Sequence, residues 1–283
     1  MIVIKEAVTL AKQLGQLKHD GNLIGFVPTM GALHAGHISL IQKSKRICDI
    51  TVSSIFVNPT QFNDPKDFEK YPVAIGNDIL LLEKAGCDIL FLPSVREIYP
   101  DGTNPINRYD LGEIEFLLEG KFRPGHFQGV CQVVHRLLDL VQPSKLFMGQ
   151  KDYQQCIIVK RLIELMNLPV EMVTAGTFRE TSGLAMSSRN LRLNEQQKMQ
   201  AAGISKMLLY IKNNVSAAPF AELENYAVDY LLATGFTKVD YVSIADADTL
   251  QQASSVAEGR KLVALIAAFI GEVRLIDNEV LQD

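Results

Sequence analysis

The chain has 283 residues, 47% hydrophobic and 21% charged, with a formal net charge of -4. That is ample apolar content for a packed core in one large domain or two, and the acidic balance with scattered Lys and Arg argues against a broad nucleic-acid surface. Small-molecule substrates are therefore the expected partners, with no nucleic acid and no membrane. Cys48, Cys87, Cys131 and Cys156 form no Cys-x-x-Cys pair, which fits reduced thiols in a cytosolic enzyme. The opening Met1-Ile2-Val3-Ile4-Lys5-Glu6 lacks the basic start and apolar stretch of a signal peptide, and the longest apolar run, 262–270, is too short to span a bilayer. A cytoplasmic protein is expected.

In chain order, the first apolar run, 23–28, reads as a strand, and residues 36–48 have helical spacing. Between them lies Met30-Gly31-Ala32-Leu33-His34-Ala35-Gly36-His37. Two histidines three positions apart thus fall at a helix N-terminus, where unpaired N–H groups and the positive end of the helix dipole favour an anion. Gly31 and Gly36 have the spacing of a P-loop, but His37-Ile38 stands where that loop needs Lys and then Ser or Thr. No strand is followed by G-x-G-x-x-G, so the dinucleotide fingerprint is also absent. What remains is the His-x-x-His type of nucleotide binder, which works at the α-phosphate and releases pyrophosphate. Two other readings stand beside it. One histidine could be a buried, bonded core residue and the other a helix cap, or both could ligate zinc, although His19, His126 and His135 offer no signal for a third ligand.

The next strand, 50–57, runs into Asn58-Pro59-Thr60-Gln61-Phe62, whose Gln61 offers a neutral donor and acceptor in a polar turn. A helix near 76–85 is closed by Gly86, and a strand at 88–92 is closed by Pro93. The basic-aromatic loop Lys121-Phe122-Arg123-Pro124-Gly125-His126-Phe127 precedes a helix at 126–141, with His126 open to either a structural or a binding role. Strand 145–148 ends in Gly149-Gln150-Lys151-Asp152 before a helix near 152–166, then a strand at 169–174. Lys151 is a candidate phosphate ligand, against the alternative of a solvated lysine; Asp152 can cap the helix, bind a ribose hydroxyl, or both. Apolar runs alternating with amphipathic stretches indicate an α/β fold, a Rossmann-like parallel sheet with helices on both faces and ligands at the carboxyl ends of its strands.

Beyond residue 175 the pattern changes. Met186-Ser187-Ser188-Arg189-Asn190, beside Gly183, brings hydroxyls and a guanidinium suited to oxyanions, or else forms a capping turn. Amphipathic helices follow near 195–213 and 220–234, then strands at 239–244, 261–270 and 273–276 with Gly271-Glu272 as a tight turn. This reads as a Rossmann-like domain over 1–175 and a smaller C-terminal α+β, lid-like domain over 176–283. No G-x-S-x-G elbow or Cys/His nucleophile pair is evident, so catalysis by positioning and charge neutralisation is expected.

Five ordered motifs, the run from Pro28 to His37, Asn58-Pro59-Thr60-Gln61-Phe62, Arg123-Pro124-Gly125-His126-Phe127, Lys151-Asp152-Tyr153-Gln154-Gln155 and the run from Gly183 to Asn190, together closely resemble the pantothenate synthetase (pantoate:beta-alanine ligase) family of the HIGH-type nucleotidyltransferase superfamily. The resemblance implies ATP-dependent ligation of (R)-pantoate and beta-alanine through a pantoyl adenylate, with AMP and pyrophosphate released, Mg2+ required, and a homodimer. It implies that Met30, Gly31, Ala32, Leu33, His34, Ala35, Gly36, His37, Gly149, Gln150, Lys151 and Asp152 line the ATP site, with Phe178 at the adenine. Met186, Ser187, Ser188 and Arg189 would close on the phosphates, Gln61 and Gln155 would hold pantoate, and His37 is the residue usually named as proton donor. His34, His37, Lys151, Ser187, Ser188 and Arg189 form the implied catalytic set. The metal ligands stay unassigned, although Asp78 lies where the family tends to have acidic residues near the metal. Gln150, Ser182 and Val73 depart from the family pattern, which usually has Glu, Asp and Arg there. The enzyme rival is a nucleotidylyltransferase that keeps the nucleotide on its product; the non-enzyme rival is an ATP-sensing module.

Overall fold

The computed structural model describes residues 1–63, 65–103, 108–256 and 260–281. In chain order its strands are β1 Ile2–Ile4, β2 Ile24–Thr29, β3 Ile50–Ile55, β4 Ile89–Phe91, β5 Lys145–Gly149, β6 Glu171–Ala175, β7 Lys238–Asp246, β8 Leu262–Ile270 and β9 Val273–Val280. The α-helices are α1 Ala7–His19, α2 Ala35–Ile47, α3 Pro65–Glu69, α4 Ile75–Lys84, α5 Val95–Ile98, α6 Leu118–Phe122, α7 His126–Val141, α8 Tyr153–Leu165, α9 Glu195–Ala201, α10 Gly203–Asn214 and α11 Phe220–Ala233.

The chain divides into two compact units. The first comprises Met1–Gly112, Arg123–Gly149 and Gln155–Gly176. It is built on a sheet of order β1-β4-β3-β2-β5-β6 in which every pairing is parallel. Its central strands are buried on both faces, mostly by apolar side chains, among them Ile24, Phe26, Val27, Val52, Ile89, Leu90, Leu146 and Phe147, as helix-covered parallel sheets require. The order runs from β2 through β3 to β4 in one direction and from β5 to β6 in the other, so the connections reverse between β2 and β5. Open α/β sheets bind ligands at such a reversal. Register shows the crevice opening there. β2 pairs β3 along its whole length, from Ile24 to Thr29, but meets β5 only at Gly25 and Phe26. Pro28, which has no N–H to give a ladder, sits where β5 has already parted from β2.

The second unit comprises Glu113–Phe122, Gln150–Gln154 and Thr177–Asp283. Its antiparallel sheet β7-β8-β9 packs helices α10 and α11 through Ile204, Met207, Leu208, Ile211, Leu223 and Leu231. Gly271, at φ +56°, makes the two-residue turn from β8 into β9. The short segments are tied in by buried polar groups. Glu119 takes two bonds of 2.7 Å from Arg274 of β9, and Gln154 donates to the carbonyls of Ile114 and Leu117 while accepting from the Glu119 amide.

The structure differs from the sequence expectation in the short helices α3, α5 and α6, which were not expected, and in two larger features. β1 and α1 precede the first expected strand, although Leu10, Leu14 and Leu17 already have helical spacing; α1 buries Leu10 and Leu14. The helix expected at 195–213 is two, α9 and α10, meeting at Ala202, just before Gly203. All four cysteines are free and buried, and burial pushes the Cys87 thiol up to about 12. Among the described residues no helix is long and apolar enough to cross a membrane.

Gly129 of α7 decides how the turn after β3 seats. A Cβ there would meet the Thr60 carbonyl oxygen at 2.3 Å and the Gln61 nitrogen at 2.8 Å, both backbone atoms. Alanine gains up to about 1 kcal/mol over glycine in a helix interior, whereas forced overpacking costs about 1 to 3 kcal/mol. Gly129→Ala is expected to destabilise on balance, by about 1 to 2 kcal/mol in urea titration; a stability equal to or above wild type would show that this approach is not tight.

Candidate active site

In the first unit the turn from β2 to α2 is shaped by one carboxylate. Gly31 and Ala32 both have left-handed backbone, at φ +85° and +48°, a conformation that costs a non-glycine residue about 1 kcal/mol or more. Asp78, fully buried in the first turn of α4, holds them there: Oδ2 accepts from the Ala32 N–H at 2.9 Å and Oδ1 from the Leu33 N–H at 2.7 Å. Thr29 adds a hydroxyl that donates to the Ser54 carbonyl at 2.7 Å and accepts from the Gly31 N–H at 3.3 Å. Asp78, which the resemblance associates with a metal, is thus bonded to the turn. Among the described residues no three His, Cys, Asp or Glu side chains cluster as a metal site.

His34 is the N-cap of α2, and its Nδ1 accepts from the Gly36 N–H at 3.2 Å; His37 Nδ1 accepts in return from the His34 N–H at 3.3 Å. Two imidazoles make the reciprocal capping pair that a hydroxyl and a carboxylate usually make. Neither ring is buried in a core, and both take part in the cap. An Nδ1 that accepts leaves the ring proton on Nε2. The rings lie 4.0 Å apart between centroids, 34° from parallel. The arrangement offers two imidazole N–H donors at the positive end of a 13-residue helix, which suits an anion.

The turn after β3 presents Gln61, 9% exposed, with its Nε2 directed at the Met30 sulfur 3.2 Å away. The structure therefore brings Gln61 against the residue that opens the histidine turn. Two neighbours fix it, Asn58 and His126, and Tyr99 holds the first of them. Asn58, 1% exposed, donates from Nδ2 to Gln61 Oε1 and to the Gly129 carbonyl, each at 3.1 Å, and its Oδ1 accepts from the Tyr99 hydroxyl at 2.7 Å. Burial pushes that phenol up to about 12, so it stays a donor. His126 Nδ1 lies 2.7 Å from the Gln61 carbonyl and Nε2 3.1 Å from Arg123 Nη1. A carbonyl only accepts and a guanidinium only donates, so this histidine is neutral with its proton on Nδ1. Asn58 and His126 stand inside the quoted motifs without an assigned role; Tyr99 carries no sequence signal, and the signal for Gly129 is a glycine in mid-helix. Gln155 lies half-buried in the first turn of α8. A cavity of about 270 Å³ at the carboxyl ends of β3 and β4 is lined by Gly31, Val57, Val73, Asp78 and Val95 among others; neither Gln61 nor Gln155 lines it.

The second unit holds Gln150, Lys151, Asp152, Phe178, Met186, Ser187, Ser188 and Arg189. The Lys151 side chain is 17% exposed, with Asp152 Oδ2 at 3.5 Å. Asn278 of β9 donates to the carbonyls of Gln150 and Lys151 at 2.9 and 2.8 Å. Beside it, Asp277 pairs through both oxygens with Arg179, which also donates to the Gly183 carbonyl at 3.2 Å. Burial pushes the Asp277 carboxyl up, against the opposing pull of Arg179. Ser187 caps the short turn Ser188–Arg192 by accepting from the Arg189 N–H. Phe178 is 45% exposed, and its carbonyl accepts from the Met186 N–H at 2.9 Å. Ser182, where the resemblance leads one to expect Asp, supplies an acceptor to the Leu184 N–H at 3.3 Å.

The sequence profile of the pantoate-beta-alanine ligase family matches residues 2–280. The pantothenate synthetase of Cytophaga hutchinsonii is 44% identical over 283 residues, covering 99% of each chain, and that of Porphyromonas gingivalis is 40% identical over the full length of both. Among solved structures, the pantothenate synthetase of Thermus thermophilus superposes with a TM-score of 0.91 at 37% identity, covering 100% of both chains. The pantoate-beta-alanine ligase of Francisella tularensis, solved in complex with beta-gamma ATP and beta-alanine, gives 0.83 at 38% identity, covering 100% of this chain and 98% of the other. With a match that spans the chain from β1 to β9 and relatives alike over their whole length, this chain belongs to the pantoate-beta-alanine ligase family.

Proposed function

We propose that this chain is an AMP-forming ligase that joins (R)-pantoate to beta-alanine at the expense of ATP. The observation that carries this reading is the imidazole-capped turn at the sheet's reversal point, in a chain whose family is named for pantoate and beta-alanine. The Francisella relative was solved in complex with beta-gamma ATP and beta-alanine, which supports ATP and beta-alanine as ligands here. Whole-chain membership disfavours a nucleotidylyltransferase that leaves the nucleotide on its product.

The pantoate carboxylate attacks the α-phosphorus, the bond from that phosphorus to the bridging oxygen breaks, and pyrophosphate leaves. The beta-alanine amine then attacks the acyl carbon, the acyl C–O bond breaks, and AMP leaves with the oxygen that came from pantoate. The first step needs charge neutralisation more than proton transfer, because a carboxylate is already a nucleophile and pyrophosphate a fair leaving group. His34 and His37 meet that need by donating from Nε2 at the α2 N-terminus, with Nδ1 of each engaged on backbone. Lys151, Met186, Ser187, Ser188 and Arg189 close on the phosphates, and Met30, Gly31, Ala32, Leu33, Ala35, Gly36, Gly149, Gln150 and Asp152 line the nucleotide, with Phe178 at the adenine. Gln61 and Gln155 bind pantoate through neutral amides, which hold its hydroxyls without pairing the carboxylate and blunting its attack. Magnesium would travel on the ATP phosphates, its usual mode with few protein ligands, and no residue is assigned to it. A cytoplasmic homodimer is the form we propose, in keeping with free, buried cysteines.

AMP is expected to accumulate only when pantoate and beta-alanine are both supplied. With 18O in the pantoate carboxylate, mass spectrometry should find the label in AMP; label in inorganic phosphate, with ADP formed, would place attack at the γ-phosphate and end this reading. Lys151→Ala should raise the activation free energy of adenylate formation by about 2.7 to 4 kcal/mol, the size seen when one transition-state donor is removed. Pyrophosphate release at the wild-type rate from the folded variant would exclude that role.

A further inference from the structure

We propose that Asn278, anchored by the Arg179–Asp277 pair, is the positioning residue that sets the backbone of Lys151 and thereby aims its ammonium. The inference deepens the functional reading above, since it rests on Lys151 acting on phosphate.

Asn278 is 2% exposed in β9, in register with Leu265 of β8. Asparagine is a poor strand residue, and burying its amide is costly unless every polar atom is paired. Here both Nδ2 hydrogens have an acceptor, the carbonyls of Gln150 and Lys151 at 2.9 and 2.8 Å, and Oδ1 lies 3.4 Å from Gln150 Nε2. Two carbonyl partners fix the amide orientation, because the flipped form would set oxygen against oxygen. The segment Gln150–Gln154 is a short tie within its unit. Capturing successive carbonyls at 150 and 151 fixes the backbone from which the lysine side chain springs, leaving only its own torsions to place the ammonium.

The anchor is held in turn. The Asn278 N–H donates to Asp277 Oδ1 at 2.9 Å, so the two side chains stand in a fixed relation. Asp277, 4% exposed, takes both Arg179 amino groups, and Arg179 reaches on to the Gly183 carbonyl, in the turn that leads to Ser187 and Arg189. One strand thus supports both phosphate-directed segments of this unit. Groups carried on a strand are placed more tightly than groups carried on a loop alone.

The test is a double-mutant cycle on the full-length enzyme, with Asn278→Ala and Asn278→Asp each made in the wild-type and Lys151→Ala backgrounds. Asn278→Asp keeps the shape and replaces the donating amide by oxygen. Either single variant is expected to lose about 10²-fold in the rate of pyrophosphate release at saturating substrates, the cost of misplacing a catalytic group by about 1 Å, with KM for pantoate nearly unchanged. In the Lys151→Ala background the same substitutions should cost almost nothing further, because the group they aim is gone. Equal fold-losses in the two backgrounds, wild-type activity of Asn278→Asp, or both variants too unstable to assay would each overturn the inference and leave Asn278 a structural residue. If Lys151→Ala alone loses nothing, the fault lies in the phosphate role given to Lys151.

Discussion

The buried carboxylate of Asp78 is the constraint on which the nucleotide end of the first unit depends. A parallel sheet delivers β2 to its carboxyl end pointing outward, and the chain must reverse there to start α2 within a few residues. Reversal forces left-handed backbone at Gly31 and at Ala32, and strained backbone survives only where its surroundings hold it. Two charge-assisted bonds from one carboxylate supply that hold, each stronger than a neutral bond. A negative charge in the interior is costly unless well paired, and here its two short N–H bonds satisfy it. With the turn fixed, His34 falls at the N-cap and the reciprocal pair with His37 follows from the helix geometry.

A related device, with a donating side chain in place of an accepting one, recurs at Gln61 and at Lys151. Asn58 and His126 bind the amide and the carbonyl of Gln61; Asn278 binds the carbonyls that precede and follow the Lys151 Cα. In each case a side chain with fixed donors saturates backbone or amide groups that have no other ladder partner. Such networks are stable only when complete, since a half-paired buried polar group costs about 1 to 3 kcal/mol. Completeness makes them rigid, and a reaction that relies on charge neutralisation needs rigidity above all, because preformed donors need no reorganisation as charge develops.

Departures from the family pattern fall on positions whose local work can be done by the residue present. Ser182 still offers an oxygen to the Leu184 amide. Gln150 contributes a carbonyl to Asn278, which any residue could, and its side chain makes only a long contact. Val73 is 69% exposed, where a change of side chain disturbs no packing.

Local chemistry was legible in the residues alone. The apolar runs and their spacing indicated β2 through β6 with helices between them, the glycine-flanked histidines read as a helix start, and Gly271-Glu272 read as a tight turn, because each depends on neighbours within a few positions. β1 was not legible, since a 3-residue strand has too few positions to show alternation; α1 is signalled by the helical spacing of Leu10, Leu14 and Leu17, and the break at Ala202 only weakly, by a single Gly203 inside a helical run. Sequence also marked Gln61, Lys151 and the 186–190 loop as chemically apt without saying what holds them. That was left to tertiary structure. Asp78 lies 45 and 46 positions from the amides it binds, Gly129 lies 71 positions from the Asn58 amide that its carbonyl receives, and Asn278 lies 127 and 128 positions from the carbonyls it captures. Side chains that act across such separations leave no periodicity to read, and only the folded chain brings donor to acceptor.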